Sequence, residues 1–167
     1  MHLINFKTNS NSLIDMWFEN SIIMSDNPKD PEIETLDKDE TRISHETFCK
    51  LFDDHSKYEH FYVIDCRSFR EYNGGHIKGA IRCNPFEDQS NIPDLYDKYY
   101  DPKSIFIFHC EYSIFRGPFA WKKFTDEHSC SNNYKEPLNA FILDGGYRQF
   151  YPLHQDYCDG RYIPEFS

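Results

Sequence analysis

Apolar positions along the chain fall into two patterns. Short unbroken runs rich in β-formers read as buried strands, and turn-spaced stripes read as amphipathic helices. Phe61-Tyr62-Val63-Ile64-Asp65 is the first run, and Ser104-Ile105-Phe106-Ile107-Phe108-His109 is the strongest. Asn139-Ala140-Phe141-Ile142-Leu143 is a third, and Ala80-Ile81-Arg82-Cys83 is a shorter candidate. Helical stripes lie between them. Phe48, Leu51 and Phe52 repeat at i, i+3, i+4 behind Ser44, which is suited to cap the helix. A short helix over 68–72 stops at Gly74-Gly75, and Asn91 opens a helix through Tyr100 with Pro93 tolerated in its first turn. Stretches 117–128 and 147–151 complete the set. Gly74-Gly75-His76 and Gly145-Gly146-Tyr147 read as turns in which glycine supplies a positive φ. Strands alternating with helices predict an α/β fold, a parallel sheet covered on both faces. Sites in such sheets form beyond the carboxyl ends of the strands. The segments after Asp65, His109 and Leu143 therefore share one rim.

The first 40 residues read differently. Leu13, Ile14, Trp17, Phe18 and Ile22 make one stripe of a short helix, and 25–40 holds two prolines among many acids. We read 1–40 as an N-terminal arm and solvated acidic linker, and 41–167 as the domain proper. A length of 167 residues suits this division. The net charge is −10, and most of it sits early: residues 1–60 carry 13 acidic against 6 basic side chains. Such a chain is a poor partner for nucleic acid or an anionic membrane, both of which need clustered positive charge. No apolar run approaches the ~18 residues of a membrane span. The start lacks the basic and apolar regions of a secretory signal, so an intracellular protein with reduced thiols is expected. Its six cysteines are Cys49, Cys66, Cys83, Cys110, Cys130 and Cys158.

The chemistry concentrates in His109-Cys110-Glu111-Tyr112-Ser113-Ile114-Phe115-Arg116-Gly117-Pro118. A cysteine directly after a buried strand and before a helix lies at the helix N-terminus, where unpaired N–H groups and the macrodipole favour an anion. Arg116 follows Cys110 by six positions. The loop Glu111, Tyr112, Ser113, Ile114, Phe115 can curl round a tetrahedral oxyanion with its amides inward. Arg116 can add a planar fork to the same anion. Such surroundings lower a thiol's titration from ~8.5 to roughly 3.5–7.5, which suits nucleophilic attack on phosphorus. A lone cysteine after a strand is ordinarily core packing; the whole string is what points to an anion loop. Read without a family, Cys66 is a core thiol. His128-x-Cys130 and His154-x-x-x-Cys158 hold metal-like residue types without the paired spacing of a zinc site. No metal or cofactor is expected.

The loop resembles the active-site loop of the M-phase inducer phosphatases. These are rhodanese-fold dual-specificity phosphatases that activate cyclin-dependent kinases. The resemblance extends to 63–81 (VIDCRSFREYNGGHIKGAI) and 143–154 (LDGGYRQFYPLH), and covers about Ile43 to Pro164. It implies a rhodanese-like fold with a central five-stranded parallel sheet and helices on both faces. It implies Cys110 as nucleophile, Arg116 as phosphate clamp, Glu111 as a debated acid, and the amides of 111–116 as the cradle. It also implies Cys66 as a redox partner that forms a disulfide with the nucleophile. Asp65 and Arg67, which flank Cys66, read as a structural ion pair, and His109 as a residue that fixes the loop. The implied partner is a phosphorylated cyclin-dependent kinase with its cyclin, met by a monomer in the nucleus or cytoplasm and promoting mitotic entry.

Two departures stand out. Phe115 and Ile114 make the mouth less acidic and more apolar than the family's. The helix after the loop carries Lys122 and Lys123 early and then Asp126 and Glu127, so the family's basic docking end is missing. Other readings share parts of the pattern. A rhodanese-fold arsenate reductase has the same Cys-to-Arg spacing, and a sulfurtransferase loop is one residue shorter. A non-catalytic phosphoprotein-binding module needs no nucleophile, and the intact Cys110 and Arg116 argue against it.

Overall fold

The structure, a computed structural model, describes residues 33–36, 39–87 and 91–164. The helix expected in the arm lies outside them. The elements begin earlier than the sequence pattern suggests: β1 (Thr35–Leu36) lies in the stretch read as linker, and β2 (Asp39–Ile43) straddles its end. Ser44 then caps α1 (His45–Asp53), its side chain accepting from the Thr47 amide. β3 (His60–Asp65) leads into α2 (Phe69–Gly74), which opens on a reciprocal capping box between Ser68 and Glu71. β4 (Gly75–Ile77), β5 (Ile81–Arg82) and α3 (Ile92–Tyr99) follow. Asn91 precedes α3 without a side-chain cap bond, and Pro93 sits in the first turn. β6 (Ser104–His109) is buried at every position and runs into α4 (Arg116–Cys130). β7 (Asn139–Leu143), α5 (Gly146–Phe150), a 3-10 turn (Gln155–Tyr157) and β8 (Cys158–Gly160) end the described chain.

The main sheet has six strands in the order β1-β2-β7-β6-β3-β5. Five of them, β2, β7, β6, β3 and β5, run parallel as expected. The sixth strand is an addition: β1 turns back antiparallel on β2 at the edge. β2 escaped the pattern because its sequence, DETRI, carries three charged residues. Sheet pairing holds it there, because β7 on one side and β1 on the other satisfy its backbone. β4 and β8 form a separate antiparallel ribbon.

Alternation along β6 divides the core. Phe106 and Phe108 face Leu95, Tyr96 and Phe124 on one side, while Ile105 and Ile107 face Phe48, Tyr147 and Phe150 on the other. Helices therefore cover both faces. Gly74 and Gly75 serve another purpose than the one expected. Gly75 has an extended φ of −176°, and a Cβ there would lie 2.6 Å from the Arg161 carbonyl oxygen. Close backbone approach, and not a turn, requires glycine at that position.

Candidate active site

Cys110 follows β6 directly, and the loop to Phe115 delivers Arg116 as the first residue of α4. Three loop carbonyls are held from outside. The Cys110 carbonyl accepts from the Tyr147 amide at 2.9 Å, and the Glu111 carbonyl from the Arg148 amide at 3.0 Å. The Ser113 carbonyl accepts from Arg42 Nη2 at 2.8 Å. In a trans peptide the N–H points opposite to the C=O. The amides of Glu111, Tyr112 and Ile114 are thereby turned to the loop's interior. Ser113 helps close the curve with φ 53°.

Two of these struts come from the Gly145-Gly146 segment. Both glycines have positive φ, as the sequence suggests. Gly146 does more than turn: a Cβ on it would lie 2.6 Å from the Cys110 and Glu111 carbonyl oxygens. The third strut, Arg42, is itself held by Asp39 at 3.0 Å and Asp144 at 3.3 Å. Sequence reasoning missed it, because Arg42 stands in a charged stretch at the start of the domain where no strand was expected.

Arg116 is anchored from behind. Its Nη1 donates to Glu71 Oε2 at 2.7 Å and its Nη2 to Glu71 Oε1 at 3.0 Å. Glu71 also accepts from the Ser68 amide and hydroxyl. Burial opposes the Glu71 charge, but the bonds from Arg116 and Ser68 outweigh it and hold the carboxyl below its ordinary range. Glu71 takes two of the five donors of the guanidinium and so sets the plane of the group. Glu71 was also missed, although the spacing Ser68-x-x-Glu71 is readable as a helix start.

Beneath the loop lies a fully buried polar layer. Arg67 grips Asp65 through Nε at 2.9 Å and Nη2 at 2.6 Å, and reaches the Gly75 carbonyl at 2.7 Å. Its guanidinium lies 3.8 Å from the Tyr147 ring centroid. Burial works against the Asp65 charge, and His109 with the Arg67 fork overcomes it, so the carboxyl stays below its usual range. His109 is buried with Nε2 3.7 Å from Asp65, and burial pulls its titration down against the pull of Asp65. The pair expected from Asp65 and Arg67 is therefore present. Glu111 is also in this layer. Its carboxyl is buried and accepts from the Tyr162 hydroxyl. Burial raises its titration, and the Tyr162 bond pulls the other way.

Cys66 sits beside Cys110 at the neighbouring strand end, its amide donating to the His109 carbonyl at 2.8 Å. Burial holds its thiol well above the ordinary range.

The loop opens into a cleft of about 460 Å³. Cys110, Glu111 and Arg116 line it from the loop, with Tyr112, Ile114, Phe115 and Phe86 round the mouth. Phe86 lies parallel to Phe115 with centroids 5.3 Å apart and stacks on Phe119 at 4.8 Å. Ile114 and Phe115 are 77% and 66% exposed, so the rim is apolar and open to solvent. Elsewhere, His128 bonds to the Tyr96 hydroxyl and the Glu136 carbonyl through its two ring nitrogens. Among the described residues, no three His, Cys, Asp or Glu side chains gather as they would round a metal ion. No helix of the described residues is long and apolar enough to cross a membrane.

The chain is similar to known proteins over the segments that carry this cradle. The rhodanese-like domain model matches residues 44–152. The chain belongs to the rhodanese-like domain family. Within it, the chain is 39% identical over 108 residues to an M-phase inducer phosphatase of Dictyostelium discoideum, a match covering 60% of this chain and 10% of that protein. It is 34% identical over 140 residues to M-phase inducer phosphatase 3 of Xenopus laevis, covering 77% of this chain and 24% of that one. The chain thus spans a quarter or less of these relatives' lengths. Two solved structures share the rhodanese-like fold. One is a yeast protein tyrosine phosphatase of the rhodanese family, with a TM-score of 0.57 and 20% identity, covering 74% of this chain and 95% of that one. The other is the As-Sb reductase of Leishmania major, with a TM-score of 0.56 and 22% identity, covering 75% and 89%.

Proposed function

We propose that the protein is a cysteine-dependent phosphatase. It removes phosphate from tyrosine and threonine of a cyclin-dependent kinase bound to its cyclin, and so promotes mitotic entry. The observation that carries this reading is the outward pull on the Cys110, Glu111 and Ser113 carbonyls, which turns the amides that follow them inward in the loop after Cys110. The names of the sequence relatives support the kinase and the mitotic role.

In the first step the Cys110 thiolate attacks phosphorus, the bond to the ester oxygen breaks, and that oxygen takes a proton. Water then attacks the phosphocysteine, the P–S bond breaks, and phosphate and the thiolate are released. The inward amides and Arg116 hold the equatorial oxygens, where charge builds in both transition states. Glu111 is buried against Tyr162, which leaves a proton on the substrate's own phosphate as the better donor. A phenolic oxygen, with an acid constant near ~10, leaves with less help than an aliphatic one. The aromatic rim supports the same order, tyrosyl ester before threonyl ester. The protein acts as a monomer in the nucleus or cytoplasm, without metal or cofactor.

Hydrolysis of a small aryl phosphate, run beside Cys110→Ser, tests the reading. Phosphate release that vanadate blocks and the variant lacks is the expected result. Turnover retained in Cys110→Ser would sink the covalent step. Thiol-coupled arsenite production from arsenate, without phosphate release, would move the chain to the reductases.

A further inference from the structure

Three thiols stand in a row at the carboxyl ends of neighbouring strands. β5, β3 and β6 lie side by side and parallel, and Asp65 is in register with Arg82 on one side and His109 on the other. The residue after each of these is a cysteine: Cys83, Cys66 and Cys110. The ladder still holds at that level. The Cys66 amide donates to the His109 carbonyl at 2.8 Å and the Cys83 amide to the Asp65 carbonyl at 2.9 Å. Residues two apart on a strand share a face. Ile64, Ile81 and Phe108 belong to one packed face, and the three cysteines are buried in that same cluster. Adjacent strands are ~4.8 Å apart, inside the Cα separation of roughly 4.4–6.8 Å that a disulfide spans. Cys83 and Cys110 are two strands apart, beyond that range. Cys66 can therefore bridge to either neighbour, and the outer thiols can exchange only through it.

We propose that Cys83 is a second resolving thiol, at which oxidation of the site comes to rest as a Cys66–Cys83 disulfide with Cys110 restored. This rests on reading Cys110 as the reactive thiolate. A hydroperoxide is the oxidant. Its O–O bond breaks as Cys110 takes one oxygen, giving a sulfenic acid and, after protonation, an alcohol or water. Cys66 sulfur attacks Cys110 sulfur, the S–O bond breaks, and water leaves with the Cys66 proton. Those two steps deliver two electrons to the peroxide. Cys83 sulfur then attacks Cys66 sulfur and the Cys66–Cys110 bond breaks. Cys110 leaves as the thiolate and receives the proton that Cys83 released, so no oxidant is consumed. A dithiol reduces the final disulfide and is itself oxidised to one.

The order of sulfurs sets the direction. The leaving sulfur is the one in the loop that leads into the N-terminus of the long helix α4, an end that favours negative charge. The attacking sulfur lacks that support. Burial pushes the Cys83 thiol up to about 11, so it gives peroxide little thiolate to attack directly. Cys83 thus waits for a disulfide to reach its neighbour, and uncatalysed exchange on the scale of minutes to hours is expected.

Disulfide mapping tests this, with turnover as a second readout. The full chain is treated with one equivalent of hydrogen peroxide, quenched by alkylation at intervals, and digested with trypsin. The three cysteines fall on separate tryptic peptides, ending at Arg67, Lys98 and Arg116. The expected course is a Cys66–Cys110 link that gives way to Cys66–Cys83 with no reductant present, while aryl phosphatase activity returns. Cys83→Ala should keep the first link, and stay inactive, until a dithiol is added. A Cys66–Cys110 link that persists in the unmodified chain overturns the proposal. So does a Cys66–Cys83 link that forms equally fast in Cys110→Ser, because the relay needs Cys110 first. A protein that shows the relay but hydrolyses no phosphate would overturn the phosphatase reading alone.

Discussion

Glu71 and Arg116 form a two-sided contact at the edge of the loop. One carboxylate receives both terminal nitrogens of the guanidinium while Ser68 holds it from the other side. That geometry depends on a planar fork. Arg116→Lys keeps the charge and loses the plane, so it should not restore activity to an Arg116→Ala background. Glu71→Gln should lower kcat/KM for an aryl phosphate by about 10–100-fold through misplacement of Arg116. The rate of Cys110 alkylation should change far less, and an equal fall in both would mean that the whole loop has collapsed. The carboxyl of Glu71 is held below its ordinary range in the folded protein. Its contribution to stability is therefore complete above that ordinary range and fades as pH falls through the lowered folded value. Melting temperature against pH should show this acid limb in the parent and a shallower one in Glu71→Gln. The residue types of the site, Cys110 and Arg116 above all, were legible from spacing. The partner of Arg116 was not, because it lies 45 positions away in the chain.

At the scale of elements, the loop between β6 and α4 is shaped by segments far from it in sequence. The start of α5 supplies two amides and β2 supplies Arg42. Gly146 permits the first of these contacts. Gly146→Ala places a Cβ against two carbonyl oxygens at a φ of +64° and should cost about 1–3 kcal/mol of stability. It should also lower turnover more than Gly79→Ala, a position of similar φ with open space round it. Equal effects on turnover would show that backbone strain alone is at work. Arg42→Ala should loosen the Ser113 turn and weaken vanadate binding. The rim is a second element-scale feature. Phe86 and Phe115 form a flat wall beside the cleft. Phe115→Ser with Phe86→Ala should lower the ratio of kcat/KM for a phosphotyrosine peptide over its phosphothreonine counterpart by about tenfold. An unchanged ratio would mean that the rings only pack on each other. Of this, the sequence showed the apolar rim at Ile114 and Phe115. It did not show Phe86, which reaches the rim from the segment between β5 and α3.

Across the whole molecule, the site stands on a buried ionic layer between sheet and loop. Asp65 and Arg67 are both fully buried and joined by a bidentate fork. Removing one partner leaves the other charge uncompensated, so Asp65→Asn should destabilise the fold by about 3–5 kcal/mol in denaturant titrations. Asp65 titrates below its ordinary range in the folded state. The stability it confers is present above that range and is lost as pH falls through the folded value, and Asp65→Asn should lack this acid limb. The sequence by itself determined the alternation of strands and helices, the placement of Cys110 between the strongest strand and a helix, and the arginine that follows it. Those features are written in local periodicity and short spacing, which a chain carries wherever it folds. Only the tertiary structure decided which polar stretch became β2, which carboxylate holds Arg116, and which segments pull the loop carbonyls outward. It also decided that Cys83, Cys66 and Cys110 stand in one row. Each of these depends on parallel strands that are distant in sequence meeting in a fixed register, and the hydrogen bonds that fix it exist only once the sheet is assembled.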